Sequence, residues 1–530
     1  MFTTRDKTTM VKCNHAFGSA VIVQTLSFDN ISRIKPQKLF YGVDHQLFLP
    51  SSEEWKHIKE EYAIHILHVA FKHIPYFKIF EKLITKQIVG QYSEQLKKKN
   101  KVVPLPVLHL NEQKYDDVVQ IMDYYENFLS DTYEKAGLDF NNNTHVHCGG
   151  DQLTREGYSG AKRLRSGVAT PSNRFEHLSP ITFELFHMQM NYVKLMFKRV
   201  YSEEGLQKQG TLKCEANRVL RTSLNPNVNE HFDADKDFIV SFTDAYIVEA
   251  ITHFFDMESV FSAPRKNVLP DNVCTEDQKK EWVMDMFQKI VEIYVWDKEN
   301  KQNQEDNVEV DGVVIPIQLS NGKRRSYVIK KAQKSQTPQE DKVKNNGHLC
   351  LELGLQFKAI LDLCKLPDRD RGLRLLKLCI LSEQEAHEEF YGLFVNTKGK
   401  IDSHIPCDLQ MEYIVKSVKR NIKHMFSNKT DKNITTRTSA LPAIKDIAEN
   451  FDKTSGVIIR CKKHSSIDAI KDELDIIFDL QNVNPFTFTA GRSHDSFKTI
   501  SSRMDKLLDV HHFHSWIEIN VYKHATELGN

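Results

Sequence analysis

The sequence predicts an α/β protein in which helices predominate, on three observations. Several long segments repeat apolar residues at the helical spacing i, i+3 and i+4. Two short segments have the β-branched composition and flanking turn residues of strands, at 21–28 (VIVQTLSF) and 144–149 (THVHCG). Of the 530 residues 40% are hydrophobic and 27% charged, which indicates a sizeable core rather than global disorder.

In the first third of the chain, the strand at 21–28 ends in Asp29-Asn30. A helical pattern follows from residue 51 to about residue 100 and is interrupted at Pro75, which cannot continue a helix. The segment VVPLPVLHL is predicted to be extended, because each proline favours extended geometry in its predecessor. Tyr115–Glu134 is predicted to be an amphipathic helix that precedes the strand THVHCG.

Helices dominate the rest of the chain. One long helix is predicted over Pro180–Tyr201, and two more over 237–255 and 281–296. Residues 297–347 are rich in polar and charged residues and indicate a linker or solvated insertion, after which helix resumes. The expected divisions of the chain are 1–50, 51–104, 105–180, 181–296, 297–348, 349–430 and 431–530.

Charge and cysteine content exclude several classes of protein. The net charge is +1, so any attraction to a polyanion must come from local basic clusters. Nine scattered cysteines without a CxxC pair argue against a disulfide framework and a zinc ribbon. No signal peptide or long apolar run is present, so a soluble intracellular protein is expected. The chain contains neither GxSxG nor GxxxxGK[ST].

Two aspartates, Asp29 and Asp151, each follow a short strand directly. Carboxylates at the ends of neighbouring strands can hold a divalent cation, since the sheet fixes them while the loops leave the metal accessible. We therefore expect the two strands to lie side by side in one sheet. The alternative is that both aspartates begin turns or cap helices.

A third acidic position is predicted on the helix over Asp408–Met425. Asp408 and Glu412 lie one turn apart, and Glu412 is closer to the apolar stripe that would face a core. We interpret Glu412 as the ligand and Asp408 as a cap or dipole partner. An ordinary amphipathic helix with acids in its first turn remains the alternative.

A basic cluster follows Asp151 immediately and comprises Arg155, Lys162, Arg163 and Arg165. Four cations beside a metal-binding acid would suit a polyanion such as a nucleic-acid backbone. A solvated loop face is the competing interpretation.

Several blocks together resemble a transposon-associated family known only as a domain of unknown function. The most specific are GGDQLT, within 147–167 (HCGGDQLTREGYSGAKRLRSG), and IPCDLQMEY at 405–413. The dipeptide Asp29-Asn30 precedes them, and GTLKCEANRV lies between them. The resemblance extends from about residue 20 to the end of the chain.

The resemblance implies descent from a DNA transposon and similarity to ribonuclease H-like transposases. The implied fold is a predominantly helical α/β protein whose ribonuclease H-like core is interrupted by a large all-helical insertion. Asp29, Asp151 and Glu412 would be the catalytic and metal-binding residues, with Mg²⁺ or Mn²⁺ as the cofactor. DNA is the implied partner and the nucleus the implied location; no membrane association is expected, and a homo-oligomer is left open.

Two departures from the family leave activity open. Only 28 residues precede Asp29, which is too few for the separate DNA-binding module of transposases, and the segment 375–400 is short for the family. This copy could be active, decayed, domesticated or an incomplete gene model. The competing function is a non-catalytic, transposon-derived DNA-binding or scaffold protein, and a helical interaction protein unrelated to DNA is third.

Overall fold

The structure is a computed structural model that describes most of the first 383 residues and parts of the remainder. The described residues are 2–5, 11–23, 50–90, 93–96, 101–141, 144–183, 186–296, 312–318, 324–330, 341–365, 368–382, 430–440, 443, 447, 450–451, 454–455 and 469–493.

Helices predominate, as the sequence predicts. The helices are α1 (Ser52–His73), α2 (Ser93–Leu96), α3 (Tyr115–Lys135), α4 (Gln152–Leu164), α5 (Phe186–Val200), α6 (Leu212–Arg218), α7 (Val228–Phe255), α8 (Glu276–Ile290), α9 (Lys342–Lys365), α10 (Arg369–Ser382), α11 (Asp431–Ser439) and α12 (Ala469–Val483). A π-helical turn over Val291–Val295 extends α8. The strands are β1 (Phe2–Arg5), β2 (Val11–Asn14), β3 (Ala20–Val23), β4 (Lys101–Pro104), β5 (Val146–Gly150), β6 (Leu178–Phe183), β7 (Gly312–Gln318) and β8 (Arg324–Lys330).

Local sequence explains where α1 begins and ends. The Ser51 hydroxyl accepts a hydrogen bond from the Glu54 backbone N–H, and the Glu54 carboxylate accepts one from the Ser51 N–H. This reciprocal capping satisfies two donors that a helix start leaves unpaired. The helix ends at His73, directly before Ile74 in extended geometry and Pro75.

The larger core lies among α1, α5, α6, α7, α8, α9, α10 and α12, with α7 in contact with most of them. Helix α7 is long and apolar enough to cross a membrane, but 89% of its apolar window is buried inside the protein. It therefore has the burial of a core helix. Gly354 of α9 allows a close approach to α7, because an added Cβ would lie 2.4 Å from the Thr243 side chain.

A second, smaller core lies in an α/β unit formed by α3, β5, α4 and β6. Strands β5 and β6 pair in parallel, and α4 connects them and packs on both. Apolar side chains of α3, including Ile121 and Met122, are buried against this unit. The end of β5 and the start of α4 therefore lie together at one edge of this α/β unit.

The expected pairing of the strand before Asp29 with β5 is not observed among the described residues. There β3 pairs antiparallel with β4, while β5 pairs with β6, so the two strands belong to separate two-stranded sheets. The described part of the first strand ends at Val23, because residues 24–49 lie outside the described residues.

The helix predicted over Pro180–Tyr201 is wrong at its N-terminal end. Backbone up to Phe183 forms β6, and the helix described begins at Phe186. The apolar period over this segment is compatible with both structures, and pairing with β5 selects the strand.

The region interpreted as a polar linker contains regular structure. Strands β7 and β8 form an antiparallel hairpin that includes residues 313–318 (VVIPIQ) of the apolar patch, and α9 begins at Lys342, earlier than expected. The buried Asp341 side chain accepts hydrogen bonds from the Val343 and Lys344 N–H groups at 3.1 and 3.0 Å, which caps α9. It also pairs with Arg492, at 2.7 Å from Nη2.

Helix α12 packs into the larger core although it lies far along the chain from the other helices. Ile476, Ile477 and Leu480 are at most 3% exposed, and the helix lies mainly against α7. Phe486, in the turn that follows, packs edge-on against Tyr294 at a centroid distance of 5.0 Å. The helical body is therefore built from segments that are separated by hundreds of residues.

Candidate functional site

Asp151 lies where β5 ends and α4 begins. Its backbone is extended, and its Oδ1 accepts a hydrogen bond from the Thr154 N–H at 2.8 Å, so it is the N-cap of α4. The preceding Gly150 allows this turn, because an added Cβ would lie 2.7 Å from Thr154 Cγ2. The carboxylate is thus fixed in position and half-buried at an edge of the α/β unit.

The hydrogen bond from the Thr154 N–H agrees with the alternative that Asp151 caps a helix. It engages one of the two carboxylate oxygens, and an ionised carboxylate has about four acceptor positions in total. Capping and metal binding by Asp151 are therefore compatible.

The other two predicted acids, Asp29 and Glu412, lie outside the described residues, as does Asp408. The triad therefore stays a prediction from the sequence.

Two members of the basic cluster make contacts within the α/β unit. Arg165 donates two hydrogen bonds to Asp123, at 2.6 and 2.7 Å, and its guanidinium lies 4.8 Å from the centre of the Phe175 ring. Arg155 is only 6% exposed. These two side chains contribute to the packing of the unit.

The remaining two members of the basic cluster reach solvent. Lys162 is half-buried and Arg163 is exposed, both in the last turn of α4. A positive charge there complements the helix dipole. Of the four cations, these two are the better placed for a partner at the surface.

A network of charged side chains is buried in the larger core, and the sequence analysis missed it. His73, Asp244 and Glu473 lie close enough together for a shared ion, and they form the one such group found among the described residues. Their ammonium partners are Lys72, whose Nζ lies 2.5 Å from Glu473 and 3.2 Å from Asp244, and Lys358, 2.5 Å from Asp244.

These ammonium groups supply the positive charge that the carboxylates of the network require. Burial raises the pKa of Asp244, but Lys358 and Lys72 more than offset this, so its pKa lies below the usual range. The pKa of Lys72 is raised, since Asp244 and Glu473 outweigh its desolvation. We interpret the network as a structural ion-pair cluster between α1, α7, α9 and α12 rather than a metal centre. No sequence spacing could have revealed it, because its members lie on four separate helices.

A second buried pair, His177 and Glu126, lies in the α/β unit. His177 Nδ1 is 2.8 Å from Glu126 Oε2 and 3.5 Å from Ser172 Oγ. Burial raises the pKa of Glu126, an effect that His177 reduces but does not cancel. A serine–histidine–acid relay needs the serine and the acid on different ring nitrogens. Here both contact Nδ1, so the three residues do not form one.

The chain matches the model of a protein family. Residues 42–391 match the model of a family that is described as a family of unknown function (DUF6589). No curated protein and no solved structure matches the chain significantly.

Proposed function

We propose that this chain, which belongs to the family of unknown function DUF6589, is a transposase-derived nuclear protein that cleaves or joins DNA strands by metal-dependent phosphoryl transfer. In this proposal a ribonuclease H-like core carries Asp29, Asp151 and Glu412 as ligands of Mg²⁺ or Mn²⁺. The observation that carries it is the position of Asp151, at the end of a strand of a parallel pair and held by a cap at the start of α4.

The chemistry of Asp151 fits a hard divalent cation. Mg²⁺ favours oxygen ligands and is commonly held by one or two protein carboxylates, with water and phosphate oxygens completing its shell. Asp151 offers such a carboxylate, and the Thr154 N–H fixes its orientation at 2.8 Å. The rest of the ligand set would come from Asp29 and Glu412.

Each residue would have a defined part in the reaction. The carboxylates of Asp29, Asp151 and Glu412 would hold the metal. Bound metal would activate the attacking water or 3′-hydroxyl and stabilise the leaving oxygen. Lys162 and Arg163, in the last turn of the helix that Asp151 begins, would bind backbone phosphates and hold the DNA near it.

Substitutions at Asp151 distinguish its role as a cap from a role as a ligand. Asparagine and serine cap helices about as well as aspartate, but they supply no negative charge to a metal. Asp151→Asn and Asp151→Ser should therefore keep the melting temperature close to wild type. They should weaken Mn²⁺ binding by at least ~100-fold, since loss of even an outer-shell partner costs 10–100-fold.

Calorimetric titration with Mn²⁺ and nicking of a supercoiled plasmid measure these effects. Glu412→Gln and Asp29→Asn should give the same loss, while Asp151→Ala should also lose about 1 kcal/mol of stability with the cap. Wild-type affinity and nicking in Asp151→Asn would refute the metal-binding role.

DNA binding through Lys162 and Arg163 gives a separate prediction. The double variant Lys162→Ala/Arg163→Ala should weaken binding to DNA of any sequence and lower the slope of log K against log salt by about 0.9 per lost contact. Arg165→Ala should mainly lower stability, because it removes the paired hydrogen bonds to Asp123. Gel-shift titrations at several salt concentrations measure both, and an unchanged slope in the double variant would exclude the contact.

The second candidate is a non-catalytic, transposon-derived DNA-binding or scaffold protein. The observation in its favour is that Asp151 caps α4, a role that requires no metal. This candidate predicts that Asp151→Asn leaves every property of the protein unchanged, including its affinity for DNA.

A further inference from the structure

Two carboxyl groups from distant parts of the chain are buried together where α12 meets α6. Glu215 of α6 is 0% exposed and Asp479 of α12 is 2% exposed, and both carboxyl groups contact the guanidinium of Arg218. Glu215 accepts a hydrogen bond from the Gly210 N–H at 2.9 Å, and Asp479 accepts one from Gln209 Nε2 at 2.9 Å. Glu215 Oε2 and Asp479 Oδ2 are buried and receive no hydrogen bond from the described residues.

The guanidinium of Arg218 forms ion pairs with both carboxyl groups. Arg218 Nη2 lies 2.5 Å from Asp479 Oδ1, and Arg218 Nε lies 3.4 Å from Glu215 Oε2. One positive charge therefore faces two acids. If both acids were ionised, a buried negative charge would remain without compensation; a single proton shared between them would turn the repulsion into a hydrogen bond.

Two further titratable groups, Cys214 and Tyr246, lie near the pair. Cys214 lies beside Glu215, and burial raises the pKa of its thiol to about 11. Tyr246 of α7 donates to the Gly210 carbonyl at 2.5 Å, and burial raises its pKa as well. Both groups are therefore neutral near pH 7. The charged neighbours that act on Glu215 are Asp479 and Arg218.

Two other acids of α12 pair with basic side chains. Asp472 pairs with Arg221 at 2.6 Å, and Glu473 pairs with Lys72 and lies 2.7 Å from His73 Nε2. The acid–acid contact thus differs from the others along this helix, because it needs a proton rather than a second cation.

We propose that Glu215 and Asp479 form a one-proton lock that makes the docking of α12 onto the helical body dependent on pH. With the proton present, the two acids and Arg218 are together neutral, and α12 is held. Loss of the proton leaves two like charges in contact and weakens the docked state.

The direction of the pH dependence follows from the shift at Glu215. Burial, with a further contribution from Asp479, raises the pKa of Glu215 from its ordinary 4.5 to about 8. A raised pKa of an acid means that the docked state binds a proton which the undocked state has released. Docking is then strongest below about pH 4.5 and weakens as the pH rises toward 8, by up to about tenfold per pH unit.

Hydrogen exchange of the full-length protein tests the lock. Protection of the α12 amides, corrected for intrinsic exchange and divided by that of α9, should fall by at least ~10-fold between pH 6 and 8. Glu215→Gln mimics the protonated acid and should make this ratio independent of pH. Asp479→Asn removes the repelling charge and should also make the ratio independent of pH. This second variant tests the proposal if Glu215→Gln does not fold.

Glu249→Gln is the matched control. Glu249 of α7 is also buried, and burial raises its pKa to about 8, but Asp479 does not act on it. This variant should retain the wild-type pH dependence of the α12 ratio. A wild-type ratio that is constant with pH, or the full dependence in Glu215→Gln, would overturn the proposal.

Discussion

Replacing Arg371 with methionine is expected to lower the free energy of unfolding by about 3–5 kcal/mol at neutral pH. Arg371 of α10 is 2% exposed and donates from Nε to Glu61 Oε1 of α1 at 2.7 Å. It also pairs with Asp362 at 2.8 Å. Methionine would fill a similar volume but would leave the buried carboxylate of Glu61, itself 4% exposed, without its guanidinium partner.

The loss of stability should grow as the pH rises. Burial raises the pKa of Glu61, but His65 and Arg371 more than offset this and hold the pKa below its usual value. In the wild type this acid therefore stabilises the fold above pH 4.5, and the contribution is lost as the pH falls through the lowered pKa. Removal of Arg371 removes one of the two groups that lower this pKa, so the stabilisation that Glu61 gives above pH 4.5 should be smaller in the variant.

Two further variants make the measurement by denaturant unfolding specific. Glu61→Gln combined with Arg371→Met should recover most of the lost stability, because residue 61 then carries no buried charge. Arg265→Met removes an exposed pair with Glu258 and should cost at most about 1 kcal/mol. Equal losses for Arg371→Met and Arg265→Met would contradict the assignment of Arg371 as a buried partner.

Leu480→Ala is expected to cost about 2–5 kcal/mol. Leu480 is 0% exposed and packs in the larger core, although it lies on α12 near the end of the described chain. Alanine would remove buried apolar surface and leave a cavity between α12 and α7.

The same helix supplies the control for Leu480. Phe478 is 68% exposed, so Phe478→Ala should change the free energy of unfolding by less than about 0.5 kcal/mol. Thermal or denaturant unfolding measures both variants. A small effect for Leu480→Ala, similar to that of Phe478→Ala, would mean that α12 does not belong to the cooperative core.

The parts of the fold that the sequence predicts well are those with local causes. The helix expected over Tyr115–Glu134 is observed over Tyr115–Lys135, because its apolar period is regular and a turn precedes it. The strand THVHCG and the break at Pro75 are likewise observed.

Features that depend on distant partners could not be predicted in this way. The residues after Pro180 form β6 rather than helix because β5 is beside them. The Asp341 carboxylate, which caps α9, is paired with Arg492, a residue 151 positions away in the sequence. At the candidate site, the strand-then-acid pattern located Asp151 correctly at a strand end, but it could not reveal that Arg165 is paired with Asp123.

The part of the chain that packs into the larger core extends beyond the part that matches the family, because it includes α12. The family region ends at residue 391, whereas α12 begins at Ala469 and fills part of the same core. A fragment cut at the limits of the family would expose the apolar surface that α12 covers. It would also lack Glu473, Asp479 and Asp472, the partners on α12 of Lys72, Arg218 and Arg221. Sequence variation in residues 469–483 should accordingly be constrained by contacts with the family region, whatever function the two serve together.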